Sequence, residues 1–150
     1  MTGLAPFQYS HRVQFYETDL MGIVHHSNYL RVYEEARVAW AHARGILDYQ
    51  QPNSAFQLAV VETRVQHLKP ARFGDLLQID LLAKLEGARI VFAYRMRCPE
   101  RGQETLSLAK TVHAALDSTL KPMRPPPHLR ETMRTELERY PWTETWLLNL

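Results

Sequence analysis

Between Tyr16 and Tyr29 the sequence reads YETDLMGIVHHSNY. Two carboxylates, a glycine, adjacent histidines and an asparagine crowd a segment that a structural core does not need. Asp19 follows an alternating stretch and precedes a helical one by a few residues. A helix start carries free backbone N–H groups and the positive end of the helix dipole. A carbonyl oxygen placed there is polarised, as in an oxyanion hole. A facing carboxylate attacks that carbonyl or activates water to do so. Gly22 lets the chain turn tightly enough to bring both parts together. The chemistry suggested is acyl transfer, set against the plainer reading of Asp19 as a turn residue.

Other polar residues have structural readings beside functional ones. Adjacent His25 and His26 rarely converge on one ion, and no cysteine or carboxylate completes a ligand spacing, so no metal is expected. Ser27 has no evident His–Asp partnership and reads as a helix cap, as does Asn28. Glu34 and Glu35 sit near the helix start, where they favour its dipole; Glu34 is retained as a second catalytic or binding candidate. His67 and His113 fall on strands and read as core or interface histidines. Trp40 reads as core.

The elements that must position this segment follow from periodicity. Residues 9 to 17 alternate, with Val13 and Phe15 on one face, as in a strand. From Asn28 the period lengthens: Leu30, Tyr33, Arg37, Trp40 and Ala43, with Ala36, form the stripe of an amphipathic helix ending near Gly45. DYQQPNS is a loop. Strand-like runs then cover 56 to 67, 76 to 84, 90 to 98 and 105 to 116. In the last, Leu106, Leu108, Val112, Ala114 and Leu116 are read on one face, and Thr105, Ser107, Thr111 and His113 on the other. Short turns such as EGAR and PERGQE imply antiparallel pairing. The expectation is one strand, one long helix and a four-strand meander, an α+β domain over residues 1–120. Residues 121–150 add a proline-rich connector, a short helix through Leu129, Met133, Leu137 and Tyr140, and a tail with two tryptophans that must dock on this chain or a partner.

The chain has 150 residues and a net charge of +2, with no run of like charge. It is long enough for one domain with a real core and offers no footprint for nucleic acid. Cys98 is the sole cysteine, so no intrachain disulfide forms. No secretory leader pattern and no membrane-spanning apolar run is present, and a cytoplasmic protein is expected.

The segment YETDLMGIVHHSNYLRVYEEAR resembles the signature of the 4-hydroxybenzoyl-CoA thioesterase-like hot-dog family. It is especially similar to the bacterial acyl-CoA thioesterase subgroup associated with the Tol–Pal system. Asp19, Gly22, Ile23, Val24, His26, Asn28, Tyr29, Glu34, Ala36 and Arg37 stand in the signature places, and KPARFGD resembles a second signature. The resemblance implies a five-stranded antiparallel sheet wrapped around one long helix, acting as an acyl-CoA thioesterase without cofactor. It implies Asp19 as nucleophile or general base, the backbone N–H of His26 as carbonyl polariser and Gly22 as the turn. Asn28, Glu34 and Met21 are implied substrate contacts, with Met21 narrowing the acyl pocket. Arg89 and Arg95, together with Arg97, are candidates for CoA phosphates by charge and location. Many relatives have Asp where this chain has Glu17. A homodimer or homotetramer is implied, with the site at the subunit interface. Alternatives are an acyl-CoA hydratase/dehydratase, in which His26 pairs with Glu34 or Glu35, and a non-catalytic acyl-CoA or acyl-carrier binding module.

Overall fold

A computed structural model describes residues 5–50 and 56–150. Part of the expected DYQQPNS loop lies outside the described residues. The elements are β1 (Phe7–Arg12), α1 (His26–Ala43), β2 (Gln57–His67), β3 (Leu76–Glu86), β4 (Arg89–Cys98), β5 (Glu104–Leu116) and α2 (Pro127–Arg139). All strand pairs are antiparallel, in the order β1-β3-β4-β5-β2.

The four-strand meander is corrected to three strands, β3 to β5. β2 pairs with β5 at the far edge rather than with β3. The reason lies in the link after β2. Its Leu68 and Lys69 N–H groups both donate to the Leu106 carbonyl, at 2.9 and 3.0 Å. Further along, Ala71 and Arg72 pair with Val24 and Ile23. The link is engaged along its length and does not close a hairpin.

β1 also ends earlier than its alternation suggests. Val13 is buried, but Phe15 is 76% exposed. A 3-10 turn at Phe15–Glu17 replaces the strand, because the Glu17 carboxylate accepts the Gln14 N–H at 2.6 Å and pulls the chain round. In β5 the expected faces are corrected by a bulge. Met96 pairs with Ser107 and Arg97 with Thr105, so Leu106 is the unpaired extra residue. An extra residue shifts side-chain direction. Leu106 joins the helix-side core, whereas Leu108 faces the opposite side.

α1 buries Tyr29, Val32, Tyr33, Ala36 and Trp40. The expected stripe is off by one at its start: Leu30 is 46% exposed and Tyr29 takes the inward place, where its hydroxyl accepts the Ala71 N–H at 3.3 Å. Ala36 lies flush in the core. Trp40 meets Phe92 edge-on at 5.1 Å and Tyr33 meets Tyr94 at 4.8 Å. Polar atoms beneath the helix are largely paired. Tyr33 donates to Ser107 at 2.7 Å. Arg37 donates to the Tyr94 hydroxyl at 3.1 Å, which shares a 2.7 Å bond with Thr111. Thr111 in turn meets His113 Nε2 at 2.9 Å. His113 Nδ1 is buried without a partner among the described residues.

The C-terminal segment packs on both sides of the sheet. Leu129 and Met133 of α2 enter the helix-side core. Glu136, also buried, accepts Trp40 Nε1 at 2.8 Å and Arg44 Nε at 2.7 Å. The tail then reaches the outer face, where Trp146 covers Leu82, Ala93 and Leu108. The tail therefore docks on its own sheet.

Two outcomes are expected. Glu136→Ala leaves Trp40 Nε1 and Arg44 without their acceptor and should cost about 2–4 kcal/mol, measured by urea unfolding. Burial, and then the nearby Arg37 charge, push the His113 pKa down to about 4. The unfolded chain therefore binds this proton more readily between about pH 6.5 and that value. Stability from this group is full above the unfolded pKa and is lost as pH falls through that window. Urea midpoints for His113→Gln should lack this component, visible as a flatter slope than the parent between neutral and mildly acid pH.

Candidate active site

The segment after β1 is built as a closed tip. Thr18 bridges Val24, the Asp19 N–H donates to the Ile23 carbonyl at 2.9 Å, and the Gly22 N–H donates to the Asp19 carbonyl at 3.0 Å. Gly22 has φ +75°, a backbone region that disfavours side chains. Asp19 Oδ1 accepts the Met21 N–H at 2.8 Å. Its other carboxylate oxygen has no partner among the described residues. The far side of the tip is held by the Val24 N–H, which donates to Ala71 at 2.8 Å.

The start of α1 differs from the expected cap. His25, not Ser27 or Asn28, is the capping residue: its Nδ1 accepts the Ser27 N–H at 3.2 Å and shares a 2.8 Å bond with the Ser27 hydroxyl. The His25 carbonyl takes the Asn28 N–H at 2.9 Å. The intervening amide, His26 N–H, has no partner among the described residues, as expected for the first turn of a helix. Asn28 reaches back instead. Its Nδ2 donates to the Glu17 carbonyl at 2.8 Å, and the same carbonyl takes the His25 N–H at 2.9 Å.

Asp19 and His26 line one cavity of about 370 Å³. Met21, Ile23, Val24, Tyr29, Leu68 and Pro70 supply apolar wall. Its size suits a small-molecule group. Met21 is 75% exposed at its edge. Two further residues of the wall, His67 and Lys69, were not among the sequence candidates for the site. His67 sits edge-on to Tyr29 at 4.7 Å, and its pKa is lowered by partial burial and then by His26. Lys69 pairs with Glu104 at 2.7 Å. A sequence signal existed for Lys69, in the KPARFGD segment.

Other candidates stand elsewhere. Glu34 is exposed on α1 and borders a separate cleft with Arg37 and Trp40. Glu35 accepts the Tyr9 hydroxyl at 2.8 Å. Arg95 lies under Trp146, 5.9 Å from its ring, and pairs with buried Asp80 at 3.1 Å. Arg97 pairs with the same carboxylate at 2.7 Å. Arg89 borders an outer groove with Glu86 and Lys110. None of these lines the Asp19 cavity. Among the described residues, no three His, Cys, Asp or Glu side chains are grouped to hold a metal, and no helix is long and apolar enough to cross a membrane.

One long helix against a five-stranded antiparallel sheet, with a carboxylate loop feeding its first turn, is the hot-dog arrangement used for acyl-thioester chemistry. Residues 13–133 match the Thioesterase-like superfamily, and the chain belongs to it. It is 37% identical over 90 residues to a putative esterase of Aquifex aeolicus, covering 59% of this chain and 70% of that protein. It is 27% identical over 127 residues to a 1,4-dihydroxy-2-naphthoyl-CoA hydrolase of Synechococcus elongatus, covering 83% of this chain and 91% of the relative. The crystal structure of a hypothetical protein from Aquifex aeolicus superposes with a TM-score of 0.78 at 29% identity, covering 85% of this chain and 99% of the other.

A Cβ at Gly22 would meet nothing within 4 Å, so only backbone strain opposes substitution there. Gly22→Ala should cost about 1–2 kcal/mol in urea unfolding, and Gly22→Asn less, since asparagine tolerates this region. Equal losses for both would show that space, not φ, is limiting.

Proposed function

We propose that this chain hydrolyses an acyl-CoA thioester to a free acid and CoA, with Asp19 as the reacting carboxylate and the His26 N–H as the group that polarises the thioester carbonyl. The observation that carries this reading is the convergence of Asp19 and the first turn of α1 on one apolar-walled cavity, in a chain of the Thioesterase-like superfamily. As the thioester carbonyl gains electron density, an N–H at the helix start stabilises the developing oxyanion. Asp19 attacks that carbon directly or removes a proton from water that attacks it. The tetrahedral centre then collapses, the C–S bond breaks and CoA leaves as thiolate, which takes up a proton; on the direct route, water then hydrolyses the mixed anhydride left on Asp19 to the free acid. No metal or redox step is required.

The apolar wall accommodates an acyl group, aliphatic or aromatic, with Met21 at the edge setting its width. The 1,4-dihydroxy-2-naphthoyl-CoA hydrolase relative supports an aromatic acyl group as one option. Lys69 on the cavity wall is a nearer cation for the CoA end than Arg89 or Arg95. The finer assignment, to the Tol–Pal-associated subgroup, is supported by the signature from Asp19 to Arg37. Assembly as a homodimer or homotetramer and a cytoplasmic location complete the reading. The hydratase alternative gains no support from a His26–Glu34 or His26–Glu35 pair, since neither glutamate lines the cavity that His26 lines.

Asp19→Asn keeps an oxygen for the Met21 N–H and should leave the fold intact. It should lower kcat on acyl-CoA by about 100-fold or more, followed by release of free thiol. Near-native turnover in this variant would overturn the assignment of Asp19.

A further inference from the structure

We propose that Glu17, gripped by His11, is the positioning residue that sets Asp19 against the first turn of α1. The proposal rests on the reading of Asp19 as the reacting carboxylate.

Glu17 is one of the few buried charged residues of the chain, at 5% exposure. Both of its carboxylate oxygens lie against His11 Nε2, at 2.9 and 3.0 Å. One of them also takes the Gln14 N–H at 2.6 Å. The other nitrogen of the same ring, His11 Nδ1, lies 3.2 Å from the Glu35 carboxylate of α1. Glu35 is in turn bonded by the Tyr9 hydroxyl at 2.8 Å, whose pKa is pushed up to about 12 by burial and then by Glu35. Across the sheet His11 pairs with Leu77, which brings no charge. The imidazole is thus bracketed by carboxylates from the 3-10 turn and from α1.

The backbone of Glu17 faces the other way. Its carbonyl receives the His25 N–H and Asn28 Nδ2, at 2.9 and 2.8 Å. These residues flank the His26 amide. Side chain and carbonyl of one residue therefore tie the end of β1 to the start of α1, and Asp19 follows two positions later. The bonds inside the tip, Thr18 to Val24 and Asp19 to Ile23, fix its shape. On the side of β1, the Thr18 N–H and hydroxyl reach only as far as the Phe15 carbonyl of the 3-10 turn, at 3.1 and 2.7 Å. The Val24–Ala71 bond holds only the far side. A buried carboxylate is expensive unless fully partnered, and closing the 3-10 turn through the Gln14 N–H uses only one of the two oxygens that His11 grips. What it secures is the angle between carboxylate and amide, and small misplacements of reacting groups cost rate rather than affinity.

The test is a kinetic cycle on acyl-CoA hydrolysis with Glu17→Gln, Asp19→Asn and the double variant. Glu17→Gln is expected to lower kcat about tenfold to hundredfold with KM within about twofold. The double variant is expected to be no slower than Asp19→Asn alone, because a residue acting through Asp19 has nothing left to position. Unchanged kcat in a folded Glu17→Gln protein, or losses that multiply in the double variant, would overturn the proposal. If Glu17→Gln does not fold, His11→Gln, which reaches only one of the two carboxylates, carries the same cycle with the same expectations. Near-native turnover in Asp19→Asn would instead sink the reading of Asp19 itself. Loss in Asp19→Asn with none in Glu17→Gln would sink the positioning role alone.

Discussion

The site depends on one packing constraint: α1 is locked face-down on the sheet by Tyr33, Ala36 and Trp40 against Phe92 and Tyr94. A methyl group at Ala36 lets the helix lie close, and the flanking rings fill the space on either side. An apolar face alone tolerates some rotation or sliding, because the hydrophobic effect has no direction. The polar contacts beneath the helix remove that freedom. Tyr33 to Ser107 and Arg37 to Tyr94 each specify one azimuth. A helix that cannot turn or slide presents its first amides at one place, and only then does a carboxylate loop have something to face.

The far end of α1 is fixed by a different means. Trp40 offers its ring edge to Phe92 and its N–H to Glu136. Arg44 closes on the same carboxylate and lies over the rings of Phe7 and Tyr140, at 5.5 and 5.7 Å. The carboxylate of α2 is buried, but every contact it makes is with a donor or a cation, which is the condition for a buried charge to stabilise. Beyond it, the tail places Trp146 on the outer sheet face, where Leu82, Ala93 and Leu108 need cover. The C-terminal segment thus steadies the helix and shields the sheet that carries it.

Local chemistry was legible in the sequence; long-range placement was not. Strand alternation, the change of period at α1, the tight turn at Gly22 and the role of the 16–29 segment as a junction are written in neighbouring residues. The place of β2 is decided by what Leu68 to Arg72 touch, and those partners are distant in sequence. The same crossing brings His67 and Lys69 to the cavity. The bulge at Leu106 turns one side chain over without any mark in composition. Arg95 and Arg97 were candidates for phosphate because they are cationic. Their charge is instead taken up by Asp80, itself buried on the outer face. Glu17 closes the alternating stretch with no sign of burial, because its burial arises only when His11 and Gln14 come to meet it.

The carboxylates separate into two kinds by what surrounds them. Asp80, Glu136 and Glu17 are buried, at 1%, 3% and 5% exposure, and each faces a basic side chain. Such pairing occupies the carboxylate oxygens and fixes their orientation. Asp19 is half-buried and makes no ion pair among the described residues. One oxygen is oriented by the Met21 N–H and the other is left open. A neutral amide fixes the direction of a carboxylate without forming an ion pair. On the proposed reading, the missing partner is what separates the reacting carboxylate from the structural ones. On the same reading, the network through Glu17 supplies in backbone geometry the constraint that a salt bridge would otherwise impose on Asp19.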